Sequence, residues 1–179
     1  MNKTAMTYGH ALFELAQEEG KLDEFMTDLK VISHVLQENP QFLALYDSRN
    51  IPLAERLGAL DECFGGQVAP YIVNFLKILC QNGLMEILPH CIEHFRSLYN
   101  NASGILEVKV VSAIKLLPAL QDKLRAKLQD ITGKTVVLIC TEDPNVLGGL
   151  RLDLGGTELD GTIRRKLDEF GKDLSQLVL

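Results

Sequence analysis

Apolar side chains recur at helical spacing through the first hundred residues of the chain. They lie three or four positions apart, as expected of helices that bury one face. Glycine, asparagine and proline residues separate the apolar segments, at places where helices commonly end. We predict six helices in residues 1–100, with apolar faces that begin at Ala5, Leu22, Phe42, Leu53, Val68 and Leu84. Because the connections are short, neighbouring helices should run antiparallel and form a compact six-helix bundle.

The fifth predicted helix, residues 68–81, is more apolar than a surface helix needs to be. One line of its side chains can face a core and consists of Val68, Ile72, Phe75, Leu76 and Leu79. A second line, formed by Tyr71, Asn74 and Ile78, lies on a different side of the helix. Either the helix is buried all round, or the second line forms a groove that holds a helix of a partner protein.

The character of the sequence changes after Tyr99. The small polar segment Asn100-Asn101-Ala102-Ser103-Gly104 is the best candidate for a linker between domains. The elements predicted beyond it are a strand at Ile105–Val111, a helix from Pro118 to Ile131 and a strand at Thr135–Cys140. The second strand is almost continuously apolar, which is typical of a central strand covered on both faces. We therefore predict a small α/β domain over residues 105–179, and an α+β protein overall.

For the last forty residues we predict a turn, a strand and a terminal helix. The Asp143-Pro144 turn and the Gly148-Gly149 pair precede an alternating strand at Leu150–Leu154. Asp160 can then cap the N-terminus of the helix. Apolar residues of this helix form a heptad-like seam that comprises Ile163, Leu167, Phe170, Leu174 and Leu177. The seam either packs on the sheet of its own domain or contacts the end of a partner's coiled coil.

The net charge of −6 comes from the helical half of the chain. Residues 1–100 contain 13 acidic and 7 basic side chains, whereas residues 101–179 contain 11 of each. An acidic helical domain does not fit a nucleic-acid partner, because binding phosphates requires a basic surface. The difference in charge between the two halves also favours two domains.

The four cysteines, Cys63, Cys80, Cys91 and Cys140, have no CxxC spacing and occupy apolar segments. This arrangement is typical of reduced core thiols in a cytosolic protein rather than of a disulfide framework.

No apolar run is long enough to cross a bilayer, since Asn74 and Lys77 interrupt the richest one. The first five residues, Met1-Asn2-Lys3-Thr4-Ala5, also lack the apolar region of an export signal. We therefore expect a protein that reaches a membrane only through its partners.

One segment resembles an enzyme motif. His90-Cys91-Ile92-Glu93-His94 fits the H-x-x-E-H pattern of inverted zinc peptidases. The two histidines could bind zinc from one helix face, with Glu93 as general base and Glu169 as a remote third ligand. The simpler interpretation is that the histidines flank an apolar core stripe. Because the glycine pairs fit no phosphate loop and no serine lies in a nucleophile motif, we predict no catalytic residue, metal site or cofactor.

Three motifs resemble those of one known family. Tyr8-Gly9-His10-Ala11-Leu12-Phe13 is similar to its N-terminal helix, with Gly9 in place of alanine. Asn82-Gly83, followed by an apolar helix that ends in Phe95-Arg96-Ser97-Leu98-Tyr99, is similar to its middle motif, although Leu84 stands where arginine is usual. The turn, the Gly-Gly strand and the Asp160-Gly161-Thr162-Ile163 helix start resemble the C-terminal signature. The family is the δ subunit of F-type ATP synthases, called the oligomycin-sensitivity-conferring protein in mitochondria.

This resemblance implies a non-catalytic stator subunit. In that family the N-terminal helical domain, here residues 1–100, holds the N-terminal segment of an α subunit on top of the catalytic α3β3 head. The C-terminal domain, here residues 105–179, joins the b-type peripheral stalk. The resemblance implies a location on the cytoplasmic face of an energy-transducing membrane, as a peripheral protein. A zinc-dependent hydrolase that uses residues 90–94, and a helical adaptor of another complex, are the alternative hypotheses.

The resemblance also implies two sets of contact residues. The α-subunit segment is expected in a groove between the first and fifth helices, lined by Tyr8, Ala11, Asn74 and Ile78. Two of these residues, Asn74 and Ile78, belong to the second line of the fifth helix described above. The peripheral stalk is expected at the terminal seam, through Ile163, Leu167, Phe170 and Leu174.

Overall fold

The computed structural model describes residues 3–48, 50–144, 146, 149–154 and, as backbone, 158–160. The chain divides into two compact units, Met1–Tyr99 and Asn100–Leu179. Within the described residues, the first unit is helical, and the second contains a four-stranded sheet and a helix. The α+β class predicted from the sequence is confirmed.

The helices of the first unit follow one another with short turns between them. Their bounds are α1 (Lys3–Glu18), α2 (Leu22–Glu38), α3 (Phe42–Asp47), α4 (Leu53–Phe64), α5 (Pro70–Gln81), a 3₁₀ turn (Met85–Ile87) and α6 (Leu88–Ala102). Gly20 and Gly83 end α1 and α5 in the left-handed conformation, at φ values of 65° and 64°. Glycine is favoured there because it has no Cβ to clash with the following carbonyl group.

The sixth helix differs from the prediction at both ends. A 3₁₀ turn precedes it, because the Asp47 carboxylate accepts hydrogen bonds from the backbone N–H groups of Met85 (3.1 Å) and Glu86 (3.0 Å). At the other end α6 continues to Ala102, through most of the segment that was predicted as a linker. Asparagine is tolerated on the solvent-facing side of a helix, so polar composition alone did not mark the end of α6.

One apolar core stabilises the first unit. Its most enclosed side chains include Phe25 and Ile32 of α2, Leu76 of α5 and Phe95 of α6, all with 0% exposure. Full burial of such a side chain contributes about 1.5–3 kcal/mol. The predicted core line of the fifth helix is confirmed, because Val68, Ile72, Phe75, Leu76 and Leu79 are all at most 7% exposed, although α5 begins at Pro70 and Val68 precedes it.

The second unit is a mixed sheet with one described helix across it. Its elements are β1 (Ile105–Ser112), α7 (Pro118–Thr132), β2 (Thr135–Glu142), β3 (Leu150–Asp153) and β4 (Glu158–Asp160). The strand order is β2-β1-β3-β4, with β1 parallel to β2 and the other neighbours antiparallel. Val108, Val110, Leu128 and Val136 form the centre of this smaller core. The predicted end of α7 at Gly133 agrees with its left-handed φ of 67°.

The position of β2 corrects the prediction of a central strand. β2 lies at the edge of the sheet, and Val137 and Ile139 on its outer side are 46% and 38% exposed. An apolar run specifies a strand but not its neighbours, which depend on how the sheet is assembled. The cysteines need a similar correction, because Cys63 and Cys140 are exposed and only Cys80 and Cys91 are buried.

Candidate partner-binding groove

A groove with a volume of about 270 Å³ lies between α1 and α5. It is lined by Tyr8, Ala11, Leu12 and Leu15 of α1 and by Tyr71, Asn74, Phe75 and Ile78 of α5. The four residues named from the sequence, Tyr8, Ala11, Asn74 and Ile78, are thus brought together in one surface feature. That they bind a partner remains a prediction.

The floor of the groove is buried, whereas its rim is open. Leu12 and Phe75 are 3% and 7% exposed, and the Tyr8 ring meets the Phe75 ring edge-on at 6.4 Å between centroids. Ile78 is 45% exposed and Asn74 is also exposed. The hypothesis that α5 is buried all round is therefore wrong, because its second line of side chains faces the surface.

Four lining residues were not named as site residues from the sequence: Leu12, Leu15, Tyr71 and Phe75. Leu12 and Leu15 lie four and seven positions after Tyr8, so the helical period already placed them on the same face. Such residues are indistinguishable from ordinary core residues until the neighbouring helix is located. Tyr71 was recognised on the second line of α5 but not assigned to the site.

α1 and α5 run antiparallel along the groove, and its two ends differ. Tyr71, in the first turn of α5, interacts with Glu19, the residue that follows α1. A hydrogen bond to the Glu19 carboxylate raises the pKa of the Tyr71 hydroxyl. The Lys21 ammonium lies 5.9 Å from the centre of the Tyr71 ring. This end of the groove is therefore polar and charged, whereas exposed Ile78 lies towards the other end.

Two polar contacts hold α5 in place. Asp28 of α2 is 9% exposed, and its carboxylate accepts a 2.7 Å hydrogen bond from the backbone N–H of Ala69, the N-cap residue of α5. Pro70 follows at the first helical position, where its missing N–H costs no hydrogen bond. Further along, the Lys77 ammonium lies 2.6 Å from the Asp61 carboxylate of α4. These two contacts hold α5 through residues that do not line the groove.

The other side of α1 packs closely on α6 at Gly9. A Cβ atom at position 9 would lie 2.8 Å from the Cys91 carbonyl oxygen and 3.2 Å from the His94 Cβ. The absence of a side chain at Gly9 therefore permits α1 to approach α6 this closely. This explains why the chain has glycine where the similar N-terminal motif has alanine. His94 is used here as a packing surface for α1.

The H-x-x-E-H segment does not assemble a metal site in the described part of the chain. The His90 Nδ1 atom lies 4.0 Å from a Glu93 carboxylate oxygen, and both side chains are 57% exposed. Among the side chains that the structure describes, no three His, Cys, Asp or Glu residues form a cluster that could hold a metal ion. Glu169, the proposed remote ligand, lies outside the described residues.

The proposed stalk contacts cannot be placed in the same way. Ile163, Leu167, Phe170 and Leu174 all lie outside the described residues. Asp160, predicted to cap their helix, is the last residue of β4. In the ranges that are described, no helix is long and apolar enough to cross a membrane.

Comparison with protein-family models identifies the relatives of this chain. The model of the ATP synthase delta (OSCP) subunit matches residues 4–174, which is nearly the whole sequence. The chain belongs to the ATP synthase delta (OSCP) subunit family. The resemblance noted on three sequence motifs is thereby confirmed, and the chain is a component of an ATP synthase.

Individual members of the delta family are similar over almost their full length. The protein of Moorella thermoacetica named ATP synthase subunit delta is 33% identical over 172 residues, covering 96% of this chain and 96% of that protein. The Leuconostoc mesenteroides protein of the same name is 34% identical over 171 residues, covering 95% and 94%. A chain in the cryo-EM structure of the Toxoplasma gondii mitochondrial ATP synthase hexamer has the same fold, with a TM-score of 0.82, 22% identity and 99% coverage of both chains.

Proposed function

We propose that this delta-family chain is a non-catalytic stator subunit of a proton-translocating F-type ATP synthase. Its first unit, acting as a six-helix bundle over residues 1–100, binds the N-terminal segment of an α subunit on the α3β3 head. Its domain at residues 105–179 contacts the b-type peripheral stalk. The subunit lies on the cytoplasmic face of the energy-transducing membrane and contacts the membrane only through the complex.

The groove between α1 and α5 is the observation that supports the head contact. Its floor is apolar and its rim carries the half-exposed Ile78, so an amphipathic helix laid into it would bury apolar surface on both partners. Burial contributes about 25 cal/mol per Å² of apolar surface removed from water. The Asn74 amide, next to Ile78 on the same line, can hydrogen-bond the guest and fix its register.

The role follows from mechanics once both contacts are in place. Proton flow turns the rotor, and the head turns with it unless it is tied to the static membrane subunits. Because this subunit would make the connection and bear the torque, its interfaces with the head and with the stalk must both be strong. Nanomolar affinity corresponds to about −12 kcal/mol and usually requires about 1,600 Å² of total buried surface. A single helix in the groove contributes part of such an area, and further head contacts supply the rest.

The stalk contact rests on the sequence pattern of the terminal segment. Ile163, Leu167, Phe170 and Leu174 repeat with the spacing of a coiled-coil seam, and three basic residues, Arg164 to Lys166, lie beside them. A seam this short is suited to the end of a longer rod of helices. We therefore propose it as the surface that receives the stalk.

The test of the head contact is direct binding. A synthetic peptide of about twenty residues from the N-terminus of the α subunit is titrated into the full-length chain by isothermal calorimetry. Binding in the micromolar range or tighter is expected, and a peptide of the same composition in scrambled order should not bind. Absence of heat at micromolar concentrations would refute the groove as the head contact.

A second experiment tests the stator role itself. Membranes stripped of this subunit should lose ATP synthesis driven by a proton gradient, while the head continues to hydrolyse ATP. Adding the purified chain should restore synthesis. Unchanged synthesis without the subunit would contradict the proposal. Metal analysis of the purified chain tests the zinc-hydrolase alternative, which requires stoichiometric zinc.

A further inference from the structure

β2 is an edge strand that lacks the features by which proteins usually protect an edge. In the described part of the chain it pairs with β1 alone. It is eight residues long, and its residues 135–141 include no charged residue, proline or glycine. Val137 and Ile139, on the face opposite the core residue Val136, are 46% and 38% exposed. A long apolar edge of this kind readily pairs with another strand unless charges, prolines or bulges prevent it.

The pairing with β1 shows which backbone groups of β2 point to the free edge. The Thr135 N–H donates to the Gly104 carbonyl at 3.0 Å. The Asp143 N–H donates to the Ser112 carbonyl at 2.9 Å, so the odd-numbered residues of this strand bond to β1. Successive residues of a strand direct their backbone groups to opposite sides. The even-numbered residues therefore direct theirs to the free edge: Val136, Leu138, Cys140 and Glu142.

These edge groups can pair with those of a second, antiparallel β2 related by a two-fold axis. With Leu138 at the axis, the two Leu138 residues exchange both of their backbone hydrogen bonds, and Val136 lies opposite Cys140 of the copy. A register shifted by one residue would place edge-facing groups opposite groups that already bond to β1. Alternation of the backbone therefore excludes every such register.

The side chains favour the register centred on Leu138. On the outer face, Val137 lies opposite Ile139 of the copy, so the two exposed apolar side chains cover each other. At each end of the paired strands Lys134 lies opposite Glu142 of the copy, and both residues are exposed in the single chain. A shift by two residues would separate these opposite charges. The strand is thus complementary to itself in charge and in apolar surface.

We propose that the edge of β2 is a dimerisation surface, through which the free chain pairs with a second copy of itself about an axis at Leu138. Because each copy contributes one β2 edge, the assembly closes at two chains. Pairing joins two four-stranded sheets into one and covers the apolar edge of both copies. A single pair of strands buries less surface than a standard interface, so the dissociation constant should be about 10–300 µM. This inference does not depend on the proposed contacts with the head or the stalk.

Charge reversal tests the register in the full-length chain. Sedimentation equilibrium between about 5 and 500 µM, a range that includes the affinity expected of a small interface, should show monomers and dimers. Glu142→Lys places two lysines opposite each other at both ends, and Lys134→Glu places two glutamates there. Each variant alone should raise the dissociation constant about five- to tenfold, whereas an equimolar mixture restores both ion pairs and should dimerise as the wild type does.

Glu62→Lys is the matched control for these variants. It makes the same change in net charge at an exposed position of α4, and it should leave dimerisation unchanged. Failure of the mixture to recover wild-type affinity would refute the register. A monomer at every concentration, or growth beyond two chains, would overturn the inference as a whole.

Amide hydrogen exchange distinguishes a second copy from other occupants of the edge. The amides of Leu138 and Cys140 should exchange freely in a dilute ¹⁵N-labelled sample and become protected at dimer-forming concentrations. Those of Val137 and Ile139, which bond to β1, should be protected in both samples. Protection of the first two amides in the monomer would show that the same chain covers its own edge. Protection that requires a fragment of the peripheral stalk would show a different partner, and either result would contradict the inference.

Cysteine cross-linking tests which residues lie opposite each other. The exposed Cys63 and Cys140 are first replaced by serine. Val137→Cys and Ile139→Cys are then made separately in this background, mixed, and oxidised with glutathione disulfide. Opposed Cα atoms about 4.5 Å apart permit a disulfide, whereas the diagonal neighbours paired in each variant alone are about 7–8 Å apart.

The mixture should therefore form disulfide-linked dimers, and neither variant alone should do so efficiently. Ile114→Cys, at a position outside β2 with 77% exposure, replaces Ile139→Cys in the control mixture. Equal cross-linking yields in the control mixture and the test mixture would mean that the disulfides form by random collision, which would refute the pairing.

Discussion

Replacing Ile78 is the sharpest test of the proposed head contact, because the side chain is half outside the core. Ile78 is 45% exposed, and full burial of an isoleucine contributes about 1.5–3 kcal/mol, so a guest helix that covers the exposed part gains about 0.7–1.4 kcal/mol. Ile78→Ala removes most of this gain. The dissociation constant of the α-subunit peptide should therefore rise about three- to tenfold.

Ile78→Asp should have a larger effect on binding than Ile78→Ala. The new carboxylate is hydrated in the free protein, but the guest would bury it without a partner, at a cost of several kcal/mol. Binding should then fall below detection at micromolar peptide. Folding should be largely unaffected, since substitutions at exposed helix positions usually change the free energy of unfolding by less than about 1 kcal/mol.

Val31 provides the matched control for this experiment. It is a β-branched aliphatic residue on α2 with 40% exposure, and it does not line the groove. Val31→Ala and Val31→Asp should leave the affinity for the peptide unchanged when it is measured by calorimetry. Their effects on the free energy of unfolding, measured in urea, should be similar to those of the corresponding Ile78 variants. Wild-type affinity in the folded Ile78→Asp variant would refute the assignment of the guest to this groove.

Four further predictions concern stability, and each is measured by urea unfolding followed by circular dichroism. Asp28→Ala should lower the free energy of unfolding by about 1–3 kcal/mol, because the buried N–H of Ala69 loses its acceptor. Burial raises the pKa of the Cys91 thiol from 9.0 to about 11, so stability that is complete below pH 9 should fall by about 2 kcal/mol between pH 9 and pH 11. Gly133→Ala should destabilise by about 1–2 kcal/mol, because residue 133 has a φ of 67°. Gly58→Ala, inside α4 with open space for a methyl group, should stabilise by up to about 1 kcal/mol.

Each of these predictions has its own control. Asp130→Ala, at an exposed position of α7, should change stability far less than Asp28→Ala. Cys91→Ala removes the titrating thiol and should flatten the fall in stability between pH 9 and pH 11; an unchanged slope would assign that fall to other groups. Gly58 and Gly133 serve as controls for each other. If both alanine substitutions changed the free energy of unfolding in the same direction, the explanation from the left-handed φ of residue 133 would be wrong.

Much of the groove was foreseeable from the helical period. Tyr71, Asn74 and Ile78 recur on one side of α5, apart from the core line that contains Ile72 and Leu76. The helical period of α5 shows that it carries two lines of side chains, but it does not show which line the neighbouring helices bury. The exposure of Ile78 is decided by the position of α1, which leaves a gap at Ala11 and encloses Leu12. Leu15 and Phe75 belong to the groove for the same reason.

The predictions that were wrong depended on neighbours that no local pattern specifies. β2 has the composition of a covered strand, yet its place at the sheet edge leaves Val137 and Ile139 exposed. Cys63 and Cys140 lie in apolar segments but face solvent. α6 extends to Ala102 because a helix accepts polar residues on its outer face.

The sequence by itself determined the order and type of most elements and the family. Periodicity and turn residues act over a few positions, and the three motifs are contiguous in the chain. Only the tertiary structure decided which surfaces remain uncovered. The antiparallel approach of α1 to α5, the contact of Gly9 with α6 and the hydrogen bond from the Tyr99 hydroxyl to the Asp23 carboxylate each join residues more than fifty positions apart. Such contacts depend on how whole helices pack, because the free energy that selects them is shared by the entire core.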